Sequence, residues 1–331
     1  MPKVASLVNE LVNIAHDYEN CTFDEDHVNK WLSQFPERYH EVIMRELVYI
    51  LGKIYVSKNQ MINYVDSVIN SDKIFGGNSN NHYFLNIQDT GTSQIDLLYI
   101  MKDIIGVDSD FNIFESDEVK EGSYVYIDDV FYTGNRLKRD IERWVKQVDD
   151  VTKVKKLDVI YYIVHTENYT YVKEELKKIL PYTEISIWFK KALSNNIKKL
   201  QTYDAYLPSD KYKFTGEANK YISEIDNERT EKQKQYIKLI RPDGLVNNSK
   251  YFQSQEDRKL LEHLFFEYGV KISEHVTNKS FKAMGYDYSL SLGFGSIVIT
   301  YRNAPNNSPL VLWWGNSTLN NWYPLFPRIV Y

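Results

Sequence analysis

YVYIDDVFYTGNRL, Tyr124–Leu137, is the stretch whose reading decides the fold. Val125, Tyr126 and Ile127 form an apolar run that meets two adjacent carboxylates, Asp128 and Asp129. A turn with Thr133, Gly134 and Asn135 follows, and a helical pattern starts at Arg136. This order predicts a buried strand ending at the acids, a small-residue turn and a helix start. Paired carboxylates accept hydrogen bonds from vicinal hydroxyls, and the amides of a turn at a helix N-terminus favour an anion. A phosphorylated sugar satisfies both. Adjacent acids at a strand end also serve as plain capping or turn residues.

Elements of the same kind surround the motif. YFLNI (Tyr83–Ile87) reads as a strand that enters QDTGTS and then the helical IDLLYIMKDII. Downstream come a helix from Arg136 to Val148, an apolar strand LDVIYYIVH, a helix at Tyr169–Leu180 and a strand EISIWF. Near-continuous apolar strands alternating with helices indicate a parallel α/β sheet. Upstream, residues 3 to about 73 read as helices: Val4, Leu7, Val8, Leu11 and Ile14 keep helical spacing. Asp24 is placed to cap the next helix, with Val28, Trp31, Leu32 and Phe35 on one face. GGNSNN, Gly76–Asn81, breaks this region from the sheet. Past about residue 200 the pattern becomes mixed. Residues 219–240 and Glu256–Gly269 read as helices, LGFGSIVITY and LVLWWG as strands, and residues 247–255 (NNSKYFQSQ) as a flexible linker. The expected division is an N-terminal helical region (1–75), an α/β core (76–200) and a mixed α+β C-terminal region (201–331).

In an open parallel sheet, ligands bind beyond the C-terminal ends of the strands. Two such ends carry polar Thr–Gly turns: QDTGTS, with Asp89, Thr90, Gly91, Thr92 and Ser93, and DDVFYTGN. Together they suit a ligand with phosphates at both ends, although Asp89 or Thr92 also fits a plain capping role. Hydrophobics, two acids, hydrophobics, Thr–Gly and a helix resemble the phosphoribosyl-pyrophosphate (PRPP) loop of type I phosphoribosyltransferases over roughly residues 83–190. The resemblance implies that Asp128 and Asp129 hold the ribose hydroxyls and act as the catalytic pair. It assigns the 5-phosphate to Tyr132, Thr133, Gly134, Asn135 and Arg136, and pyrophosphate to Asp89–Ser93. It also implies Mg²⁺, bridging pyrophosphate and ribose oxygens without direct protein coordination. Two departures stand out. Arg136 occupies the position where the family usually has a second hydroxyl residue, and the interval before Tyr124 is short for a closing lid. The expected activity is N-glycosidic transfer or cleavage on PRPP or a nucleotide; the alternative is a non-catalytic nucleotide- or PRPP-sensing module acting on a partner.

NAPNNSP (Asn303–Pro309), LVLWW and WYPLFPR (Trp322–Arg328) resemble the tail of phosphoribosyltransferase-like proteins of bacterial conflict and anti-phage gene clusters. That resemblance implies a defence role, with a defence-system protein or a second copy as partner. His165, at the end of its strand, is a further candidate for orienting a base or leaving group, against a purely structural role. Arg302 and Arg328 read either as phosphate ligands or as paired structural residues, and Asn303, Asn306 and Asn307 as substrate-facing or turn residues. The cluster Trp313, Trp314, Trp322, Tyr323 and Phe326 suits base stacking, core packing or a partner surface.

The 331 residues suffice for a sizeable core. Net charge is −5, so bulk charge does not indicate a nucleic-acid partner. Mean hydropathy is −0.47, and no apolar run reaches a membrane-spanning length. Asn9, Glu10 and Asn13 interrupt the N-terminus, so no signal-peptide core is expected there. Cys21 is the only cysteine, which excludes an internal disulfide and a cysteine-rich zinc site. A cytoplasmic location is the expectation.

Overall fold

The computed structural model describes residues 2–75, 82–89, 91–106, 112–114, 118–287, 290–315 and 322–328. The GGNSNN break and Thr90 lie outside them. The chain forms two units, residues 1–58 with 195–330 and residues 59–194. The N-terminal helices and the C-terminal region, far apart in sequence, thus belong to one unit.

Helices α1 (Pro2–Ala15), α2 (Glu25–Leu32) and α3 (His40–Ile54) open the first unit. The Asp24 carboxylate accepts from the His27 amide at 2.8 Å and caps α2, which buries Val28, Trp31 and Leu32. In α3 the buried Ile43, Leu47, Ile50 and Ile54 keep a spacing of three and four.

The second unit begins with α4 (Lys58–Ile69) and α5 (Asp72–Phe75). Strands and helices then alternate: β1 (His82–Leu85), α6 (Ser93–Ile105), β2 (Asn112–Phe114), β3 (Gly122–Phe131), α7 (Asn135–Val145), β4 (Val154–His165), α8 (Tyr169–Ile179) and β5 (Glu184–Leu193). The strands form one sheet in the order β2-β1-β3-β4-β5, and every pairing is parallel. The α/β expectation holds. Tyr124 and Tyr126 of β3 pack in one core with Leu137, Ile141 and Trp144 of α7 and Val172 and Leu176 of α8.

One boundary is corrected. The apolar run does not stop at the acids, because β3 continues through them to Phe131, with Asp128 opposite Tyr161 and Phe131 opposite Val164 of β4. Val130 and Phe131 are buried, so the ladder carries the carboxylates instead of ending at them. Successive residues of a strand face opposite sides. Asp128 therefore shares the face of Tyr124 and Tyr126, and Asp129 points to the other.

The rest of the first unit contains α9 (Gly216–Asn227), α10 (Glu231–Tyr236), α11 (Gln255–Ser273), a hairpin of β6 (Phe281–Lys282) and β7 (Gly285–Tyr286), and α12 (Leu310–Trp313). Three expectations fail here. LGFGSIVITY is no strand; beyond one bridge from Thr300 to Val56 it makes no ladder, because Gly293 (φ 125°) and Gly295 (φ 71°) turn the backbone out of the extended region. LVLWW is the short helix α12, entered from Pro309. NNSKYFQSQ is no linker: Asn247, Tyr251 and Phe252 are buried, and the Asn247 amide donates to the Leu200 carbonyl at 2.5 Å.

The Trp-rich tail packs as core. Trp313 and Trp322 are buried, with their indole N–H groups donating to Ser308 (2.7 Å) and Val311 (2.9 Å) carbonyls, and Phe326 is fully buried. Arg328 donates to the Ala304 carbonyl at 2.8 Å, and the Asn307 side chain donates to the Tyr286 carbonyl at 3.0 Å. These bonds give both side chains structural roles. Among the described residues no helix is long and apolar enough to cross a membrane.

Candidate functional site

The strand order puts β1 and β3 side by side, with β2 outside β1 and β4 outside β3. The chain reverses its direction of winding between them. At the C-terminal ends of such a pair the following loops diverge and leave a crevice. The loop after β1 enters α6, and the turn after β3 enters α7. Strand pairing between β1 and β3 runs from His82–Ser123 to Phe84–Val125. Beyond it Asp128 of β3 meets Gln88 of the loop.

Gly134 (φ 75°) is the N-cap of α7. A Cβ there would lie 2.5 Å from both Phe131 Cζ and Val172 Cγ2, so only glycine fits. The N-terminus of the amphipathic 11-residue α7 is thereby fixed just past the end of β3. Thr133 supports the turn, its hydroxyl accepting from the Asn135 amide at 3.4 Å. The matching glycine of the other loop is Gly91 (φ 82°), next to Thr92, the N-cap of α6. The Thr92 hydroxyl donates to Asp96 at 2.9 Å.

A polar network joins the two loops. Asp128 is 5% exposed. Its Oδ2 accepts from the Gln88 amide at 2.9 Å, and its Oδ1 from the Asp129 N–H at 2.9 Å. Gln88 also donates to the Tyr126 hydroxyl (3.2 Å) and accepts from the Ser93 hydroxyl (3.1 Å). Tyr126 donates to Asp140 at 3.0 Å. Arg143 then ties α7 to the loop after β1: Nη1 lies 2.7 Å from Asp89, and Nη2 donates to Asp140 at 3.2 Å and to the Ile87 carbonyl. Gln94 holds the loop from the other side, accepting from the Ile87 amide at 2.7 Å. Asp129 is half-buried, and its carboxylate accepts from the Val130 amide at 2.7 Å.

Burial raises the carboxyl pKa of Asp140, against the Tyr126 hydrogen bond and the charges of Arg136 and Arg143, which lower it. Burial keeps Tyr126 and Tyr161 neutral by raising their pKa far above the usual value. For Arg136, burial opposes the charged form, but Asp128, Tyr126, Asp140 and Asp129 outweigh it and raise its pKa. His165 is fully buried, its ring stacked on Tyr132 at 5.4 Å, and burial lowers its pKa to about 3. It is neutral near pH 7.

The structure thus brings Asp128, Asp89, Gly91, Ser93, Gly134 and Arg136 to one junction. Asp129 lies on the opposite face of the same strand, and His165 lies beneath Tyr132. Sequence reading missed Gln88 as a partner of Asp128, and the roles of Gln94, Asp140 and Arg143. The spacing of Arg136, Asp140 and Arg143, four and then three apart on one helix, was the signal available for two of these.

No curated protein matches the chain. The PRTase-CE family model matches residues 28–328, nearly the whole chain and both of its units. With a parallel sheet whose central junction carries an acidic strand and two glycine-opened helix starts, the chain belongs to the PRTase-CE family, a phosphoribosyltransferase-like family.

Proposed function

We propose that the chain binds PRPP or a nucleotide at the β1/β3 junction and makes or breaks an N-glycosidic bond there. One observation carries this reading: two neighbouring parallel strands each lead through a positive-φ glycine, Gly91 and Gly134, into a helix N-terminus at the switch point of the sheet. Each helix start offers backbone N–H groups to an anion. In this reading the turn Tyr132–Asn135 receives the 5-phosphate and Asp89–Ser93 the pyrophosphate. The ribose lies along the β1-side edge of β3, where Asp128 meets it from one face and Asp129 from the other. Its hydroxyls replace the Gln88 amide on Asp128. Among the described residues at the junction none is an activated nucleophile. The chemistry then relies on positioning and on charge stabilisation of an oxocarbenium-like state, with carboxylates near the sugar.

The same residues bear on Mg²⁺. Both oxygens of Asp128 already accept hydrogen bonds, and among the described residues no three acidic, His or Cys side chains converge. This donor set fits an ion held chiefly by the ligand's phosphate and ribose oxygens and does not fit a protein cage. Such an ion supplies charge neutralisation to the diphosphate.

A second reading, a PRPP- or nucleotide-sensing module without turnover, is favoured by the closed state of Asp128 under Gln88. Ligand entry then rearranges the loop after β1, which is the kind of change a partner can read. Calorimetry with PRPP and Mg²⁺, followed by assay for released diphosphate or free base, separates the readings. Product release supports the enzyme; tight binding without product supports the sensor. Absence of PRPP and nucleotide binding contradicts both.

A further inference from the structure

Arg136 is the second residue of α7, directly after the turn Tyr132–Asn135 assigned above to the 5-phosphate. Its side chain leaves that turn. A Cβ on Gly91 would lie 3.4 Å from Arg136 Nη1 and 3.7 Å from Nη2, so the guanidinium packs on the loop that follows β1. Gly91 has no side chain to separate the cation from the loop backbone, and its φ of 82° disfavours any other residue. The glycine and the arginine form a matched pair across the junction.

The charge balance of the junction gives this placement a consequence. Asp89, Asp128, Asp129 and Asp140 make it acidic, and Arg143 and Arg136 are the cations set among them. A ligand group with two or more negative charges needs a cation next to the loop after β1. Arg136 stands there, and a planar guanidinium matches phosphate oxygens in pairs.

We infer that Arg136 determines specificity for the diphosphate end of the ligand, facing the loop after β1 and not the 5-phosphate at its own turn. This rests on the phosphoribosyl reading above. The test is calorimetry with Mg²⁺ on wild type, Arg136→Thr and Arg136→Lys, using PRPP, inorganic diphosphate and ribose 5-phosphate as probes. In Arg136→Thr, PRPP and diphosphate should bind about tenfold more weakly or worse, and ribose 5-phosphate should stay within about twofold. Arg136→Lys should fall between, because it keeps the charge and loses the fork. Equal losses for all three probes would return Arg136 to the 5-phosphate, and no loss for any would remove it from binding; either result overturns the inference. Wild type that binds none of the probes overturns the phosphoribosyl reading itself, a different pattern from either. Thermal melting verifies the fold. Gly91→Ala, strained by a φ of 82° in the loop on which the guanidinium packs, provides a second variant with the same expected pattern.

Discussion

Asp128 and Gly134 are the residues on which the site depends, and their legibility differed. The Thr-Gly turn was readable because a left-handed position before a helix favours glycine. The cost of replacing it follows from geometry. Gly134→Ala places a methyl 2.5 Å from Phe131 and Val172 at a φ of 75°. It should destabilise the unit by about 2–4 kcal/mol, the sum of a left-handed alanine and an overpacked contact. Chemical denaturation measures this; a loss below about 0.5 kcal/mol would show that the turn relaxes freely. The orientation of the acids was less legible. Alternation separates Asp128 from Asp129 only if the strand continues, and two carboxylates in a row look like an end. The buried Val130 and Phe131 decide it, because the ladder with β4 outweighs the acids' preference for a turn.

At the scale of elements, the loop after β1 is held to α7 by a helix residue marked only by its spacing from Arg136 and Asp140. Arg143 reaches Asp89 and the Ile87 carbonyl. The ion pair is partly exposed, and such pairs contribute about 1 kcal/mol or less. Arg143→Met also takes a cation from buried Asp140, so it should cost more than the exposed pair alone. It should speed amide hydrogen exchange in residues 86–89, which hydrogen-exchange mass spectrometry reads. Unchanged exchange there would mean that Gln94 and Gln88 fix the loop without Arg143. The strands and helices of the sheet unit were legible because their apolar periods are strong. The C-terminal segments were not. LGFGSIVITY has a strand's composition, but its glycines adopt positive φ where other backbone approaches, that of Met284 and Gly285 at Gly293 and that of Tyr206 at Gly295, and the Tyr206 amide donates to the Gly295 carbonyl at 2.7 Å. NNSKYFQSQ has a linker's composition but is fastened by the side chain of Asn247. Long-range contacts decided both, and a local window does not contain them.

At the scale of the whole molecule, the ends of the chain meet in one unit, a fact spread over too many positions for any single motif to reveal. Arg45 of α3 pairs with Asp257 at 2.5 Å, and Trp31 donates to the Val311 carbonyl at 2.9 Å. Glu46 lies in this seam, fully buried, accepting from the amides of Gln253 (3.2 Å) and Ser254 (3.0 Å) at the start of α11. Burial raises its pKa from 4.5 to about 7, against those two hydrogen bonds. The folded state therefore holds a proton that the unfolded chain releases between these values. The stability from this group is fully present below pH 4.5 and is lost as pH rises through about 7. The change is on the order of 3 kcal/mol. Glu46→Gln should flatten this part of the stability–pH curve, as denaturation at a series of pH values would show; an unaltered slope would place the titration elsewhere.

The central claim is that the acidic strand at the β1/β3 junction holds a phosphoribosyl ligand. Calorimetric titration of PRPP with Mg²⁺ into wild type and Asp128→Asn tests it most directly. Asparagine keeps the shape but removes the charge and one acceptor. The account predicts binding to wild type and a loss of about tenfold or more in a variant that melts like wild type. Equal affinity in the two proteins would contradict it.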